Sequence, residues 1–488
     1  MLVVTGSKRK SFVMDESQDW YRRRSYAHFD RPISESQASA LVTNPDRVSR
    51  HAFWPVILNP QKSISIKSEL GQRVWKTKIR PIVYAAHSDA HIYAYYAKFL
   101  GHLLEERYAT CGGDHVLAYR KFSPARCNVH FAYEAFDEIA ANESCDVIAI
   151  DVEGFFDAID HKHLKTAWAG LLCNAQLPDD HYAVFKACTR DTAITVPQLR
   201  DLFGGEVKRR AGSAGRAICT PKEFRSLVTP HLRPRHDLVW EVKRKPAPAY
   251  LNGQSAGIPQ GLPISAVLAN LYMYDTDQAI QQSVRKLGGT YRRYSDDILL
   301  IVPKGRGGEA EFLVQTELSK VRLQVNSAKT QRRRFLRKEG ALRSLSVDEN
   351  FTVQNPSSAS YLGFTFDGRD MRVRDSTIAR FMIKANRAID RARIAAVMSG
   401  ELRLKKRQLY ARLTSLGYGT VYGDAVYDQS NHFLPKGAPR LGFFKYLQLA
   451  AKVTDSDAIR TQIRQIENQV FREIDRAEKR LKKLPASV

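Results

Sequence analysis

Tyr294-Ser295-Asp296-Asp297 is the stretch of sequence that decides the fold of this chain. The residues on either side, Thr-Tyr-Arg-Arg at 290–293 and an apolar run at 298–302, have the alternating and β-branched side chains that predict two strands joined by a tight turn. Adjacent carboxylates at such a turn repel each other, and a divalent cation bound there would offset the repulsion. The alternative interpretation is a solvated Asp-Asp turn.

A second acid with the same setting stands upstream. Residues 147–151 have the composition of a short buried strand that ends in Asp151, and residues 152–157 come directly after it. Two strands that each deliver an acid to one end of a sheet can form a two-metal site for phosphoryl transfer. The second acid therefore favours a metal site over a solvated turn.

Composition indicates nucleic acid as the partner. The chain has 488 residues, enough for two or three domains, and a net charge of +25 at pH 7. Such an excess of Lys and Arg favours a polyanion, and nucleic acid fits better than a membrane because no basic amphipathic anchor stands out. No apolar run approaches ~20 residues, the N-terminus lacks a secretory pattern, and the six cysteines lack metal-site spacing. We therefore expect a cytoplasmic protein with free thiols and no membrane association.

The positive charge is concentrated in the last quarter of the chain. Residues 371–488 contain 24 Lys and Arg against 11 Asp and Glu. Apolar residues recur at helical spacing within 376–397 and 459–474, with charged residues between them, which predicts amphipathic helices. Each helix alone could be a merely solvated face, but several together favour a surface that grips a duplex or a structured RNA.

The organisation of the chain is predicted in four parts. An aromatic and basic leader, which includes Trp20 and Tyr21, could stack on bases. The segment 177–249 is rich in Arg and Pro, and 208–216 within it has the composition of an exposed basic loop. The predicted parts are a leader at 1–64, short strands alternating with helices at 65–145, a part with the acidic motifs at 146–368 with an insertion at about 177–249, and a basic helical region at 369–488.

Five motifs resemble the palm motifs of reverse transcriptases and occur in the same order, and the resemblance covers about residues 70–370. They are Asp151 with Phe155-Phe156, Gly257-Ile258-Pro259-Gln260-Gly261-Leu262-Pro263-Ile264-Ser265, Tyr294-Ser295-Asp296-Asp297, Leu323-Gln324-Val325-Asn326-Ser327-Ala328-Lys329-Thr330 and Tyr361-Leu362-Gly363-Phe364-Thr365-Phe366. The chain resembles a bacterial reverse transcriptase, and its leader and basic tail are most similar to the defence-associated, abortive-infection group. The resemblance implies an α+β right-hand polymerase fold with fingers at 65–145, an antiparallel palm sheet backed by helices at 146–368, and a helical thumb-like C-terminal region at 369–488.

The resemblance also assigns the acids. Asp151 and Asp296 would bind two Mg²⁺ ions, for which Mn²⁺ could substitute, and the carbonyl of Val152 would be a further ligand. Asp297 would support the site electrostatically and contact metal less directly. Phe156 matches the steric gate that excludes a ribose 2′-hydroxyl, although a core Phe and a polar influence from Asp157 are alternatives.

Other residues would handle the nucleotide. Gln260 and Gly261 match a turn that lies along the incoming nucleotide and the template. Lys76, Lys78 and Arg80 fall on one face of a predicted strand and would bind the triphosphate, unless they are a solvated basic strand. Lys329 matches a lysine near the leaving pyrophosphate that could donate a proton, or it is a surface lysine.

Two histidines are discounted as ligands. His161 and His163 have a ligand-like spacing, but they open a predicted helix for which Asp160 is the N-cap. No endonuclease signature with paired Cys or His comes after the palm motifs.

The implied function is RNA-templated DNA synthesis from deoxynucleotides on a structured non-coding RNA, in bacterial antiviral defence. One alternative is a maturase-like protein that binds and folds RNA, against which the three intact acids argue. Another is a template-independent or RNA-synthesising polymerase on the same palm. A homo-oligomeric state is left open.

Overall fold

The computed structural model describes most of the chain. It covers residues 20–482 except 25, 70–71, 205–216, 245, 247, 249–254, 402, 415–425, 428–432 and 435–441, and it does not describe the side chains of 64–76. The predicted basic loop at 208–216 and most of the polar start of the leader lie outside the described residues.

The described elements are helices and mostly antiparallel strands in roughly alternating groups. The helices are α1 (Glu35–Val42), α2 (Pro45–Ser49), α3 (His87–Cys111), α4 (Asn128–Ala141), α5 (Phe155–Ala158), α6 (His161–Leu171), α7 (Asp179–Thr189), α8 (Val196–Phe203), α9 (Pro221–Glu223), α10 (Arg235–Lys243), α11 (Ser265–Lys286), α12 (Gly307–Lys320), α13 (Asp375–Met398), α14 (Lys406–Thr414), α15 (Phe443–Thr454) and α16 (Asp457–Leu481). A π-helical turn (Phe224–Val228) and a 3₁₀ turn (Thr229–His231) come after α9.

The strands form one large sheet and three smaller ones. They are β1 (Val56–Glu69), β2 (Gln72–Tyr84), β3 (Ser144–Asp151), β4 (Thr192–Thr195), β5 (Arg233–Pro234), β6 (Thr290–Tyr294), β7 (Asp297–Pro303), β8 (Gln331–Lys338), β9 (Ala341–Val347), β10 (Val353–Pro356), β11 (Ala359–Tyr361), β12 (Phe364–Phe366), β13 (Met371–Val373), β14 (Val426–Tyr427) and β15 (Phe433–Leu434). Strands β3, β6 and β7 confirm the strand predictions made from the acidic motifs.

The large sheet has six antiparallel strands in the order β10-β9-β8-β3-β7-β6. Its central strands are buried on both faces, which explains their nearly continuous apolar sequence. Ile148 and Ile150 of β3 pack into a core with α3, α6 and α11, whereas Val147 packs on the opposite side with α4 and the C-terminal helices. Because side chains alternate along a strand, Asp151 shares the face of Val147. The C-terminal helices and this acid are therefore on the same side of the sheet.

The region predicted as fingers is built on a long hairpin rather than on short alternating strands. Strands β1 and β2 pair in register from Ile57 with Tyr84 to Glu69 with Gln72. Their base is extended by β4, which comes from the predicted insertion and pairs with β1 in parallel. Residue 64 lies inside β1, so this strand continues across the boundary predicted for the leader.

The basic C-terminal region shares a core with the sheet. Phe381 of α13, Leu447 of α15 and Ile459 of α16 pack in one cluster with Val147 and Phe335 of the sheet. The predicted helices within 376–397 and 459–474 are confirmed as α13 and α16. Their exposed faces remain basic, whereas their apolar faces stabilise the sheet that carries Asp151.

The aromatic leader is packed rather than presented to solvent. Trp20 is 8% exposed and makes edge-on contacts with Tyr21, His91 and Tyr95 at ring-centroid distances of 5.8–6.2 Å. Tyr21 stacks on His91 at 4.8 Å. The prediction that Trp20 stacks on bases is therefore wrong, because its ring is already used in the core with α3.

The α+β fold class is confirmed by this arrangement of an antiparallel sheet with helices on both faces. The domain boundaries remain predictions. Among the helices described, none combines the length and the apolar composition needed to cross a membrane.

Candidate active site

The acidic motif forms a two-residue hairpin turn. Tyr294 pairs with Asp297, so Ser295 and Asp296 are the two central residues between β6 and β7. Ser295 has φ of 60°, the sign that a type II′ hairpin turn requires at its first position and that glycine usually supplies. A serine held at positive φ is a local strain of the kind that persists where surrounding contacts fix it.

A fully buried arginine supplies those contacts. Arg293 is 0% exposed, and its guanidinium pairs with Asp277 of α11 through bonds of 2.7 and 2.6 Å. It also donates to the Ser295 carbonyl at 3.1 Å and to Asn270 at 3.2 Å. Tyr291 donates to Asp277 at 2.7 Å, which further satisfies this buried carboxylate. The turn is therefore anchored to α11 from behind.

The three acids of the two motifs meet at one end of the sheet. Asp151 and Asp297 are direct cross-strand partners at the ends of β3 and β7, and the Val152 N–H donates to the Asp296 carbonyl at 3.2 Å. Protein around the Asp297 carboxylate, together with the charges of Asp296 and Asp151, raises its pKa to about 7, although it stays open to solvent. Burial and the charge of Asp151 also raise the pKa of Asp296. The acids thus carry negative charge that the protein alone does not fully offset.

Lys329 lies directly against these acids. Its Nζ is 2.7 Å from Oδ2 of Asp151, and its side chain is 48% exposed. The loop that carries it is tied to β3, because the Asn326 N–H donates to the Asp151 carbonyl at 2.8 Å and the Glu153 N–H to the Gln324 carbonyl. The structure therefore brings together two predicted site residues that are far apart in sequence.

The hairpin β1–β2 supplies further cations on the same side. Lys78 lies close enough to the acids that their charges partly oppose the fall in its pKa, which burial, Arg80 and Lys329 cause. Arg80 is exposed and donates a long hydrogen bond of 3.5 Å to Ser63. Lys76 lies in β2 opposite Ser65, but its side chain is outside the described part of the structure.

The motif Gln260-Gly261 is clamped to the base of the same hairpin. The Val83 N–H donates to the Gln260 carbonyl at 2.8 Å. Gly261 has φ of 116°, and a Cβ there would collide with the Val83 carbonyl oxygen, so only glycine fits. Phe156 is half-buried on the short helix α5, and its carbonyl accepts from the Ile258 N–H at 2.9 Å. These backbone contacts tie the helix that carries Phe156 and the loop that carries Gln260 to the hairpin that carries Lys78.

His161 has a structural role, which its ligand-like spacing from His163 did not indicate. Asp160 caps α6, as predicted, by accepting the His163 N–H at 2.7 Å. The ring of His161 bonds Ser255 at 2.8 Å and the Gly257 carbonyl at 2.9 Å. It therefore holds the start of the Gly257–Gln260 loop rather than a metal ion.

Two arginines at the site were missed from the sequence. The sequence predicts Arg293 only as part of a strand, and its position directly before the acidic motif is the signal that could have identified it. Arg374, at the start of α13, is near enough to Asp297 that this carboxylate opposes the lowering of its pKa by burial. The Nε atom of Arg374 is buried and has no hydrogen-bond partner within the described residues. No sequence motif indicated that the C-terminal region places a cation here.

The donor set fits divalent ions of an open site. No group of three or more His, Cys, Asp or Glu side chains within the described ranges is arranged to hold an ion by itself. Mg²⁺ usually takes only one or two carboxylates and completes its shell with water and substrate phosphates. Asp151 and Asp296, with the Val152 carbonyl, suit that pattern, and the raised pKa values of Asp296 and Asp297 indicate that a cation would be stabilising there. The roles of these residues stay predictions.

Comparison with known protein families identifies the central part of the chain. Residues 229–366 match the family model described as reverse transcriptase (RNA-dependent DNA polymerase). This part of the chain is therefore similar to the reverse transcriptase domain, and reverse transcriptases are nucleotidyltransferases that depend on divalent metal ions. The match includes the turn at Asp296 and begins after Asp151. No curated protein sequence matches the chain.

Solved structures similar to this chain include telomerases. The apo telomerase from Candida tropicalis is 10% identical, with 91% of this chain and 64% of that chain covered and a TM-score of 0.40. The same telomerase truncated from the C-terminal domain is 10% identical, with 65% and 55% covered and a TM-score of 0.36. The telomerase from Candida albicans in complex with a TWJ fragment of telomeric RNA is 13% identical, with 92% and 70% covered and a TM-score of 0.35. The chain spans less than two thirds of both Candida tropicalis chains.

Proposed function

We propose that the protein is an RNA-directed DNA polymerase that extends a primer with deoxynucleotides on an RNA template, using two Mg²⁺ ions. The observation that carries the proposal is the cross-strand pair of Asp151 and Asp297 with Asp296 in the intervening turn. Cations from two other parts of the chain, Lys78 and Lys329, face the same acids. Acids flanked by cations are what a reaction between a hydroxyl and a triphosphate needs.

Each side chain has a task in this reaction. Bound divalent ions would lower the pKa of the primer hydroxyl and offset the charge that develops on the triphosphate. Asp151 and Asp296 hold the ions, and Lys78 and Arg80 bind the phosphates of the incoming nucleotide. Lys329 pairs with Asp151 in the resting site, and in the reaction it would give a proton to the departing pyrophosphate.

The C-terminal helix α13 provides a track for a nucleic-acid strand. Its exposed cations succeed one another at helical spacing, starting near Arg374 beside Asp297. At 1.5 Å per residue the row extends for roughly 16 Å away from the acids. The members of this row are Arg380, Lys384, Arg387 and Arg391. A row of this kind suits successive backbone phosphates.

The dependence of RNA affinity on salt concentration tests whether the basic row on α13 contacts the nucleic acid. RNA affinity is expected to fall with salt by about 0.7 to 0.9 log units per log unit of salt for each phosphate contacted. Replacing the four cations of the row by Gln is expected to reduce that slope, with the helix and its buried face unchanged. An unchanged slope would place the nucleic acid elsewhere. Truncation near residue 370 is unsuitable for this test, because it would expose the core that α13 and α16 share with the sheet.

The proposal also covers the template, the cellular location and the biological role of the protein. The template is a dedicated structured RNA, the protein acts in the bacterial cytoplasm, and the DNA product serves antiviral defence. The leader and the basic helical region support this setting through their similarity to defence-associated enzymes. Sequencing the nucleic acid that co-purifies with the protein would identify the template and show whether DNA is attached to it.

The activity test uses the full chain with a primed RNA, Mg²⁺ and labelled nucleotides. DNA whose sequence is complementary to the RNA is the expected product. DNA without that complementarity would indicate template-independent synthesis, and RNA as the product would indicate an RNA polymerase. RNA binding without any synthesis in Mg²⁺ or Mn²⁺ would favour a maturase-like protein instead.

A further inference from the structure

Helix α10 contacts the nucleotide site from behind at both of its ends. At its first residue, Arg235 donates to the Gly257 carbonyl at 3.1 Å and pairs with buried Asp191 at 2.9 and 2.7 Å. At its last residue, the Nζ of Lys243 lies 2.5 Å from Oδ2 of Asp157. A nine-residue helix from the predicted insertion therefore links the Gly257–Gln260 loop to the turn that carries Phe156.

Asp157 is the residue next to Phe156 on the short helix α5. Its side chain is 8% exposed, and that of Lys243 is 17% exposed, so the ion pair is largely removed from water. The Nζ of Lys243 also lies 4.3 Å from the centre of the Trp240 ring, which adds a cation–π contact. The position of the lysine is thus defined by two partners.

The backbone of Asp157 is equally constrained. A Cβ at Gly257 would lie 3.0 Å from the Asp157 carbonyl oxygen, so the loop and α5 are in close contact. The next loop residue, Ile258, donates its N–H to the Phe156 carbonyl. This contact fixes the backbone of Phe156 relative to the loop that carries Gln260.

A carboxylate near the sugar 2′ position would oppose the effect of a steric gate, and Asp157 stands next to Phe156. A ribose differs from a deoxyribose by one hydroxyl, and a carboxylate accepts a hydroxyl hydrogen bond strongly. If the Asp157 carboxylate turned toward the sugar, it would accept a hydrogen bond from the 2′-hydroxyl. That bond would stabilise a bound ribonucleotide, which Phe156 would exclude. Lys243 engages the carboxylate on the side of α10 instead.

We propose that Lys243 is a specificity-determining positioning residue, which keeps the Asp157 carboxylate away from the sugar 2′ position and so preserves the choice of deoxynucleotides. The inference rests on the proposed polymerase function and on Phe156 facing the sugar. It assigns to the predicted insertion a part in substrate choice. A partly buried carboxylate that loses its lysine is left uncompensated and accepts whatever donor is near.

The test compares kcat/KM for a deoxynucleotide with kcat/KM for the matching ribonucleotide. For Lys243→Met, the ratio is expected to fall about tenfold or more, the size of one hydrogen bond to a charged acceptor, through a rise in ribonucleotide use. A merely structural lysine would lower both values together. Lys243→Arg keeps a cation for Asp157 and is expected to retain the ratio.

A matched control lies on the same segment. Arg233 and Glu241 form an exposed pair at 2.6 Å, with side chains 47% and 61% exposed. Arg233→Met removes a cation from this segment without touching Asp157, so the ratio should stay that of the parent. A fall of the same size in this control would mean that the charge of the segment, and not the pair, sets the ratio.

A double variant isolates the carboxylate. Lys243→Met combined with Asp157→Leu replaces the pair by apolar groups of similar size and should return the ratio to within about twofold of the parent. If Lys243→Met does not fold, Lys243→Gln, which still donates one hydrogen bond, should lower the ratio by about threefold.

An unchanged ratio in a folded Lys243→Met or Lys243→Gln protein that still makes DNA would overturn this inference and leave the polymerase proposal standing. Absence of nucleotide incorporation by the parent on any primed RNA would instead overturn the polymerase proposal, and the inference with it.

Discussion

The acids and the cations of the candidate active site are built in opposite ways. The acidic turn is fixed to α11 by Arg293 and Asp277, both 0% exposed, and its neighbours β3 and β7 are buried on both faces. Arg80 and Lys78 instead stand on a two-stranded hairpin, where the hydrogen bond of Arg80 to Ser63 is long. Acids that must hold ions at a fixed spacing need rigid support, whereas groups that admit a nucleotide and release pyrophosphate need freedom to move.

The largest effect is expected from removing an acid of the rigid side. Asp296→Ala should lower DNA synthesis about a thousandfold or more, because metal-ion stabilisation supplies several kcal/mol and each 1.36 kcal/mol is a factor of about ten. Primer extension measures the loss, and circular dichroism shows that the fold is kept. Asp137→Asn, at an exposed acid of α4, is the matched control and should keep full activity. Synthesis at the parent rate by folded Asp296→Ala would refute the metal assignment.

Breaking the anchor should lower stability and activity together. Arg293→Met leaves Asp277 buried without its partner, which is expected to lower the free energy of unfolding by about 3–5 kcal/mol. Adding Asp277→Leu should recover much of that stability but not the activity, because the Ser295 carbonyl still lacks its donor. Urea unfolding and primer extension measure the two quantities. Full activity in the double variant would mean that the network stabilises the fold without positioning the turn.

The hairpin side should respond in substrate binding rather than in stability. Arg80→Met is expected to raise the KM for deoxynucleotides about tenfold, the loss of one charge-assisted contact, and to change the free energy of unfolding by less than about 0.5 kcal/mol. Steady-state kinetics at saturating primer measures this. Lys62→Met is the matched control, since the strand register places Lys62 on the opposite face of the hairpin. Equal effects of the two variants would indicate a general charge effect.

The smallest effect concerns pH. The pKa of Asp297 is raised to about 7 in the folded protein, so between about pH 4 and 7 the folded state holds a proton that the unfolded chain has released. This carboxyl therefore makes the metal-free protein less stable as the pH rises through that range. Asp297→Asn removes the contribution, so its Tm relative to the parent should rise from about pH 5 to pH 8, by at most about 2 °C in EDTA.

Excess Mg²⁺ should shrink the difference between the parent and Asp297→Asn at high pH, because the ion offsets the same charge. A difference that does not change with pH would show that Asp297 titrates normally in the folded state.

Much of the acidic side could be predicted from the sequence. Short apolar runs predict strands β3 and β7, aromatic and β-branched residues predict β6, and the motif between β6 and β7 predicts the turn, because all of these signals are local. Apolar spacing predicts the helices α13 and α16 for the same reason. The family resemblance added Lys329, whose ion pair with Asp151 joins residues 178 positions apart.

The supporting contacts could not be predicted in this way. Asp277 reaches Arg293 only because α11 packs behind the turn, and Lys243 reaches Asp157 across 86 positions of sequence. The prediction that Trp20 stacks on bases was wrong, because an exposed aromatic residue and one that packs on α3 cannot be distinguished in the sequence. The charge of the basic tail describes its outer face and says nothing of the core that α13 and α16 share with the sheet.

The register of β3 and β7 has a consequence for how this gene can change. Asp151 and Asp297 are cross-strand partners only because β3 and β7 pair in an unbroken register that starts at Cys145 and Pro303. A substitution in either strand alters one side chain, whereas a single inserted codon reverses the facing of every residue beyond it and turns the acid to the other side of the sheet. The position of Asp151 opposite Asp297 therefore depends on the number of residues in each strand. In these two strands we expect many replacements to be tolerated and no insertions or deletions.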